Sequence, residues 1–374
     1  MSNHAPLAPS SMGLTVACPG SVKLQALYPE DTESERAQEG TAAHWALAEV
    51  LQGRAVAEGQ VTDTGFVLTR EMVDAAESTL RYVHGRIQFY NEQPEYRVEE
   101  SLAINRVHDQ CWGTPDLVMY FRQAQRIIVL DFKYGHGFVE VFENWQLLAY
   151  LAGVFELFTI SGEQNNSVTC DLVIDQPRSY HPDGSRRTWS LTPTEARPYI
   201  VRMGEAARAA LGPDPKLRVN DGCKHCDARH ACPQLQAIGL DAVDRSRSAV
   251  PFDLPPHALG IELADVRQAI KALEARASGL EAQAESLIGR GERVPFWTID
   301  RPPGRLAWTV PVSEVLALGA MMGVPLTKAV EPVTPTQARD LGLDEDILQG
   351  FAARPAGKAK LVPQKDSDAR KIFS

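Results

Sequence analysis

Apolar residues recur every three or four positions over residues 33–52 and 69–92, give way to short branched and aromatic runs between 96 and 133, and return to helical spacing over 144–158. The first segment predicts a helix with Trp45, Leu47, Val50 and Leu51 inward and Gly53 as its stop. The second carries the stripe Met72, Ala75, Leu80, Val83 and Ile87. The runs 96–104, 113–121 and 126–133 predict three strands of a meander, separated by polar turns. Ahead of them, residues 1–12 read as a flexible arm rich in Ser, Pro and Ala. A short helix is predicted from Gly13, with Val16, Leu24 and Leu27 on its apolar side and Cys18 and Pro19 near its start.

Residues 168–177 and 187–193 predict a hairpin, with Asp183 and Gly184 as the turn-favouring pair between them. Thr192 and Glu195 form a capping-box signature opening a helix over 192–211. The Pro-rich stretch 251–260 reads as a linker. Beyond it, Leu263, Val266, Ile270, Leu273, Ala277, Leu280, Ala284 and Leu287 alternate spacings of three and four, an a/d seam that implies a helical hairpin partner or a second protomer. The tail predicts strands at 295–300 and 305–310 around Pro302, Pro303 and Gly304, then helical segments near Pro311 and at Thr334.

With 374 residues and 44% hydrophobic content, the chain can build one large domain or two ordinary ones. A net charge of −10 argues against coating nucleic acid by bulk electrostatics, while leaving room for a local groove or bound metal to attract phosphates. The first twenty residues lack a basic region followed by an apolar one, and no run approaches the roughly 18 apolar residues of a membrane span. The expected setting is cytoplasmic. Six cysteines are too few for a secreted disulfide framework, so a cluster of them points to metal or redox chemistry.

Chemistry-bearing residues concentrate between Cys111 and Tyr150. Asp116 opens an apolar strand after Gly, Thr and Pro. Asp131 and Lys133 lie two apart at the end of the next strand and so share a face, with Phe132 turned away. Two carboxylates suit Mg²⁺ or Mn²⁺, and a lysine can orient water or neutralise charge on a phosphate. The competing reading makes Asp116 a turn residue and Asp131 and Lys133 a solvated pair. Gln146 and Tyr150, four apart on the following helix, share a face, and His44 adds an imidazole suited to Mn²⁺.

In this order, Gly40 and His44, the GTPD ending at Asp116, DFK from 131 to 133 and QLLAY from 146 to 150 resemble the RecB-like branch of the PD-(D/E)XK nuclease superfamily, over roughly residues 13–235. The resemblance implies an α/β fold: a restriction-endonuclease-like core of mixed sheet flanked by helices, within a nuclease domain taken over 13–250; the pattern of the chain itself adds a heptad helix and a small α+β extension over 261–374. The resemblance also implies His44, Asp116 and Asp131 as metal ligands with the Phe132 carbonyl as a further one, Lys133 as the catalytic lysine, and Gln146 and Tyr150 as supports of the site. Glu99 or Glu100 corresponds to an acidic residue that some relatives carry.

Cys223, Cys226 and Cys232 are separated by two and five residues, and three thiolates need a fourth ligand, for which Cys18 is the candidate. One cysteine before the core and three after it resemble the [4Fe–4S] clasp of some RecB-like nucleases, including the AddAB helicase–nuclease and the CRISPR adaptation nucleases. Zn²⁺ remains the alternative, because Cys₄ or Cys₃His sites suit it and His225 and His230 are close in sequence. Cys111 and Cys170 read as buried small hydrophobes. Arg178, Arg186 and Arg187 around the hairpin loop are candidates for DNA backbone contacts, against the plainer reading of an exposed basic loop.

The expectation is a metal-dependent DNA exonuclease of phage or bacterial recombination type. The 263–287 helix would recruit an annealing protein or a second copy. A catalytically idle DNA-binding scaffold and an endonuclease stand as alternatives.

Overall fold

The computed structural model describes residues 5–28, 35–160, 167–179, 181–246, 253–299 and 321. Its strands are β1 (Glu95–Val98), β2 (Leu102–Ala103), β3 (Trp112–Gly113), β4 (Leu117–Phe121), β5 (Arg126–Phe132), β6 (Thr169–Asp175) and β7 (Arg186–Leu191). The helices are α1 (Met12–Ala17), α2 (Gly20–Gln25), α3 (Glu35–Leu51), α4 (Arg70–Tyr90), α5 (Trp145–Leu157), α6 (Pro193–Leu211), α7 (Pro233–Ser246) and α8 (Pro256–Gly289).

Five strands form one mixed sheet in the order β1-β4-β5-β6-β7, flanked by helices. The β5–β6 pair is parallel and the other three are antiparallel. Parallel neighbours need a crossover, and α5 supplies it. Its residues Leu147 to Phe155 are all buried, as expected of a helix that is apolar around its whole circumference. Strand alternation sorts the sheet into two cores. Val118, Tyr120, Ile127, Val129, Leu172 and Ile174 pack with α5 and α6, whereas Leu117, Met119, Phe121, Ile128, Leu130 and Phe132 pack with α3 and α4. β4 and β5 read as near-continuous apolar runs because both faces are covered.

The α/β class, the β1–β4–β5 meander, the β6–β7 hairpin and the Thr192–Glu195 capping box match the sequence pattern. Several expectations need correction. Residues 5–12 are not a free arm: Leu7, Pro9 and Met12 are buried, and a 3₁₀ turn at Pro9–Ser11 packs against α5. The helix predicted from Gly13 is two helices, because Pro19 forces Cys18 out of helical backbone (φ −142°, ψ 81°). Leu27 is exposed rather than packed. The strand predicted over 96–104 breaks at Glu99, whose φ of 48° turns the chain, and Leu102–Ala103 instead pairs with β3 in a separate ribbon.

The proline-rich stretch is not all linker, since α8 begins at Pro256. Along α8 the seam residues Leu263, Val266, Ile270, Leu273 and Leu280 are exposed, and Ala272, Ala275 and Gly279 form the buried side. That side packs on the segments that carry Cys223, Cys232 and Leu235. The sheet, α1–α7 and α8 as far as Glu281 belong to one compact unit, and from Ala282 a second begins. In the second unit the strand expected from Pro295 is not formed through Ile299. The strand expected at 305–310 and the later helical segments lie outside the described residues. No helix among the described residues is long and apolar enough to cross a membrane.

Candidate active site

The antiparallel registers Val98↔Leu117 and Leu117↔Leu130, carried one step further, set Glu99, Asp116 and Asp131 in a row across the ends of β1, β4 and β5. The Glu99 backbone N–H continues the ladder by donating to Asp116 O at 3.3 Å. Asp116 and Asp131 share the parity of Val118 and Val129, so both face the α5 side. Both are buried. His44 reaches the row from α3: its Nδ1 lies 2.8 Å from Asp116 Oδ1, and its ring stands edge-on to Phe132 at 5.5 Å.

Phe132 has two roles here. Its ring props His44, and its backbone N–H donates to Asp116 Oδ2 at 2.5 Å. The N–H and C=O of one strand residue point to the same side, so the Phe132 carbonyl opens toward the same edge. Lys133 lies just past the end of β5, its N–H continuing the ladder to Asp175 O. The expected face-sharing with Asp131 is present: Lys133 Nζ lies 2.8 Å from Asp131 Oδ2. Gln146 completes a ring. It accepts from Lys133 Nζ at 3.0 Å and donates through Nε2 to Asp131 Oδ1 at 2.9 Å and to Tyr150 OH at 3.2 Å. Asn144 caps α5 by accepting from Leu147 N–H, which fixes the helix that carries Gln146 and Tyr150.

Burial disfavours a charged His44, but the carboxylates of Asp116 and Asp131 outweigh it and lift the imidazole to about 9. Burial also pushes Asp116 up, yet His44 and the Phe132 N–H together hold it below its ordinary value. Asp131 is pushed up to about 6 by burial, with Lys133 opposing and Asp116 adding to the rise. Burial and the neighbouring Asp116 raise Glu99 to about 7. Tyr150 is raised by burial and stays a phenol.

A cluster of acids that resist ionising together invites a cation. Ligand atoms of His44, Glu99 and Asp116 all lie within 4.8 Å of one another. Asp131 Oδ2 is buried with no hydrogen-bond partner, although the Lys133 ammonium is beside it. A set of carboxylate oxygens with one imidazole fits Mg²⁺ or, better, Mn²⁺. Of the two acids left open by sequence, Glu99 joins the site, while Glu100 ion-pairs with Arg97 on the surface. Strand register is the signal that singles out Glu99, and it is invisible until the β1–β4 pairing is known.

The three hairpin arginines are not free for a backbone. Arg178 bonds Glu39 and Glu71 and lies 3.8 Å from the Tyr134 ring centre. Arg186 binds Asp175, and Arg187 is buried, donating to the carbonyls of Val139 and Gly184 and to Gln176. Each is a clamp between loop and core.

Cys18, Cys223, Cys226 and Cys232 line one apolar cavity with Leu14, Leu24 and Leu235. Backbone N–H groups of Arg218 and Asn220 donate to the sulfurs of Cys18 (3.2 Å) and Cys223 (3.4 Å), and Ala228 N–H supports Cys226. As thiols in an apolar pocket, Cys223 is raised by burial and Cys226 is raised to about 11. Among the described residues, three donor atoms within 4.8 Å of one another occur at His44, Glu99 and Asp116, not among these sulfurs. Neither His225 nor His230 lines the cavity, and His230 is turned to Asp227 O and the Tyr28 ring. Cys111 and Cys170 are buried and free, as expected.

A family model described as "Protein of unknown function (DUF2800)" matches residues 4–371 of the chain.

Proposed function

We propose that this chain, which belongs to the DUF2800 family of proteins of unknown function, is a divalent-metal-dependent deoxyribonuclease with a RecB-like PD-(D/E)XK core, most simply an exonuclease acting in phage or bacterial recombination. The observation that carries this reading is one buried row at the ends of β4 and β5, where His44 of α3 meets Asp116 and Gln146 of α5 meets Asp131, with Lys133 2.8 Å from Asp131 and Gln146 joining the two. A solvated ion pair at a strand end would not be buried or enclosed in such a ring. The sheet order and the α5 crossover also suit this core.

When bound, a divalent ion supplies Lewis acidity at a phosphate and a more acidic water. His44, Asp116 and Asp131, with Glu99 and the Phe132 carbonyl beside them, are the residues that would hold it. Lys133 places a cation where negative charge grows on the phosphate oxygens as water adds to phosphorus and the P–O bond to the leaving oxygen breaks. Gln146 keeps the lysine from swinging away. Tyr150 accepts from Gln146, which leaves its own O–H proton free for a phosphate oxygen.

The test is Mn²⁺-dependent release of nucleotides from linear DNA by the wild type and by Asp131→Ala. Release by the first and not the second is expected. No release by either, or equal release, would overturn the reading and favour an idle DNA-binding scaffold. Cutting of closed circular DNA would replace exonuclease by endonuclease.

For the cysteine cavity the reading is a structural [4Fe–4S] cluster, supported by the four cysteines that share its lining. Cys18 from the amino-terminal side and Cys223, Cys226 and Cys232 from beyond α6 line this one cavity, as a four-thiolate site requires, and Zn²⁺ is the alternative occupant. The exposed seam of α8 is available to an annealing protein or to a second copy.

A further inference from the structure

The a/d seam of α8 takes no part in the site just described. Leu263, Val266, Ile270, Leu273 and Leu280 are each between 40% and 46% exposed. They run along one side of the helix for about 26 Å at 1.5 Å per residue. A continuous stripe of large apolar side chains marks an interaction surface, whereas apolar residues exposed singly do not. The other side of α8 is already used. Ala272, Ala275 and Gly279 are buried against the segments that carry Cys223, Cys232 and Leu235, so close that a Cβ at Gly279 would lie 2.6 Å from Arg229 Cγ. One face therefore docks α8 on its own domain, and the seam is left open.

The charges beside the seam select what covers it. With Leu263, Ile270 and Ala277 at a and Val266, Leu273 and Leu280 at d, the flanks carry Arg267 and Glu274 at e, and Ala269 and Arg276 at g. The g flank is half-buried against the chain itself, and α7 closes in on that side, where a Cβ at Gly239 would come within 3.0 Å of Leu273 Cδ2. The e flank is open, and Arg267 and Glu274 are both exposed. Arg267 has no acidic residue three or four positions away on α8. Glu274 has only Lys271 at such a spacing, and the Lys271 Nζ is held 2.6 Å from Asp221 Oδ1. An arginine and a glutamate one heptad apart, unmatched within their own helix, match each other when two copies run antiparallel, because e then meets e.

We propose that α8 pairs antiparallel with α8 of a second copy of this chain, about a two-fold axis level with Lys271 and Ala272. Ile270 then faces Leu273 of the second copy, Val266 faces its Ala277, and Leu263 faces its Leu280. Two-fold symmetry makes every contact occur twice. Arg267 faces Glu274 of the second copy, also twice. A parallel pair would instead match Glu262 and Arg276 at g with e of the second copy, on the flank that the chain's own packing takes up. This pairing stands independently of the nuclease reading.

The test is sedimentation equilibrium of the full chain at micromolar concentration, where the wild type should be a dimer. Ile270→Glu, at the centre of the seam, should give a monomer. Arg267→Glu should weaken the dimer about tenfold, since two exposed pairs turn from attraction to repulsion. Adding Glu274→Arg to Arg267→Glu should restore it. In a parallel pair the same double exchange would leave the new acid against Glu262 and restore nothing. All three side chains are exposed, so circular dichroism should be unchanged in each variant. A monomeric wild type would overturn the proposal, and so would a dimer that survives Ile270→Glu. A wild-type dimer that the double exchange fails to restore would overturn the antiparallel arrangement.

Discussion

His44 Nδ1 and Asp116 Oδ1 stand 2.8 Å apart although 72 positions separate the two residues. The pair sets the pH response of the metal-free protein. His44 is raised from 6.5 to about 9, so its contribution to stability is complete below pH 6.5 and is lost as pH climbs through 9. Asp131, raised from 3.8 to about 6, and Glu99, raised from 4.5 to about 7, have the same sign and lose theirs at lower pH. Asp116 is lowered and acts only below its ordinary 3.8. In EDTA, Tm should therefore fall from pH 5 to pH 9. Mn²⁺ should raise Tm more at pH 8 than at pH 6, because its ligands must lose protons to bind. A Tm that climbs with pH in EDTA would contradict the arrangement.

Lys133 and Gln146 should separate chemistry from support. Under the proposed nuclease reading, Lys133→Met removes the cation that would face the phosphate and should lower kcat by about 10²–10³-fold, the usual loss for one preorganised electrostatic group. Gln146→Leu leaves the lysine in place but unheld, and should cost less, about tenfold, with the loss again in kcat. Equal losses in the two variants would show that Lys133 has no role of its own. Steady-state kinetics on linear DNA, with circular dichroism to check folding, decides between them.

The residues of this site were legible in sequence to the extent that their spacing was local. Asp131 with Lys133 follows strand period, and Gln146 with Tyr150 follows helix period, so each pair declares a shared face. Glu99 was not separable from Glu100, since the choice depends on pairing with β4 and on a left-handed backbone angle of 48°. The arginines of the β6–β7 loop were misread for a related reason. Arg178 looks solvent-exposed until Glu39 of α3 and Glu71 of α4, remote in sequence, are brought against it, whereas Arg186 meets Asp175 within the hairpin and Arg187 is buried on the carbonyls of Val139 and Gly184. The exposed seam of α8 shows the same gap: periodicity revealed an apolar stripe, but the close contact of Gly279 with Arg229 and His230 chose the opposite side of the helix.

Cys18 is the member of the cysteine set whose loss is most informative. It comes from the α1–α2 junction, while the other three follow α6, and a shared cluster would close a loop of about 200 residues, worth roughly 5 kcal/mol in the chain-entropy account of cross-links. Cys18→Ser should abolish iron and sulfide incorporation on anaerobic purification and lower Tm by about 10 °C or more. Cys111→Ser should leave both iron content and visible absorbance intact. Stoichiometric zinc in a colourless wild-type preparation would replace the cluster with a single ion.

Gly113 ties the amino-terminal segment to Tyr150 of the candidate site. A Cβ there would lie 2.6 Å from Pro9 Cγ, 2.8 Å from Pro9 Cδ and 3.1 Å from Tyr150 Cε1. Pro9 is buried and belongs to a 3₁₀ turn, so it has little room to retreat. Gly113→Ala must then displace the turn, the tyrosine or both, with overpacking of about 1–3 kcal/mol. Moving the phenol breaks its bond to Gln146, so kcat should fall several-fold beyond what the loss of stability explains. Tyr150→Phe keeps the ring and removes only the hydroxyl; if the tyrosine is what Gly113 protects, the double variant should be no slower than the worse single one. Additive losses in kcat would instead place the effect of Gly113 elsewhere.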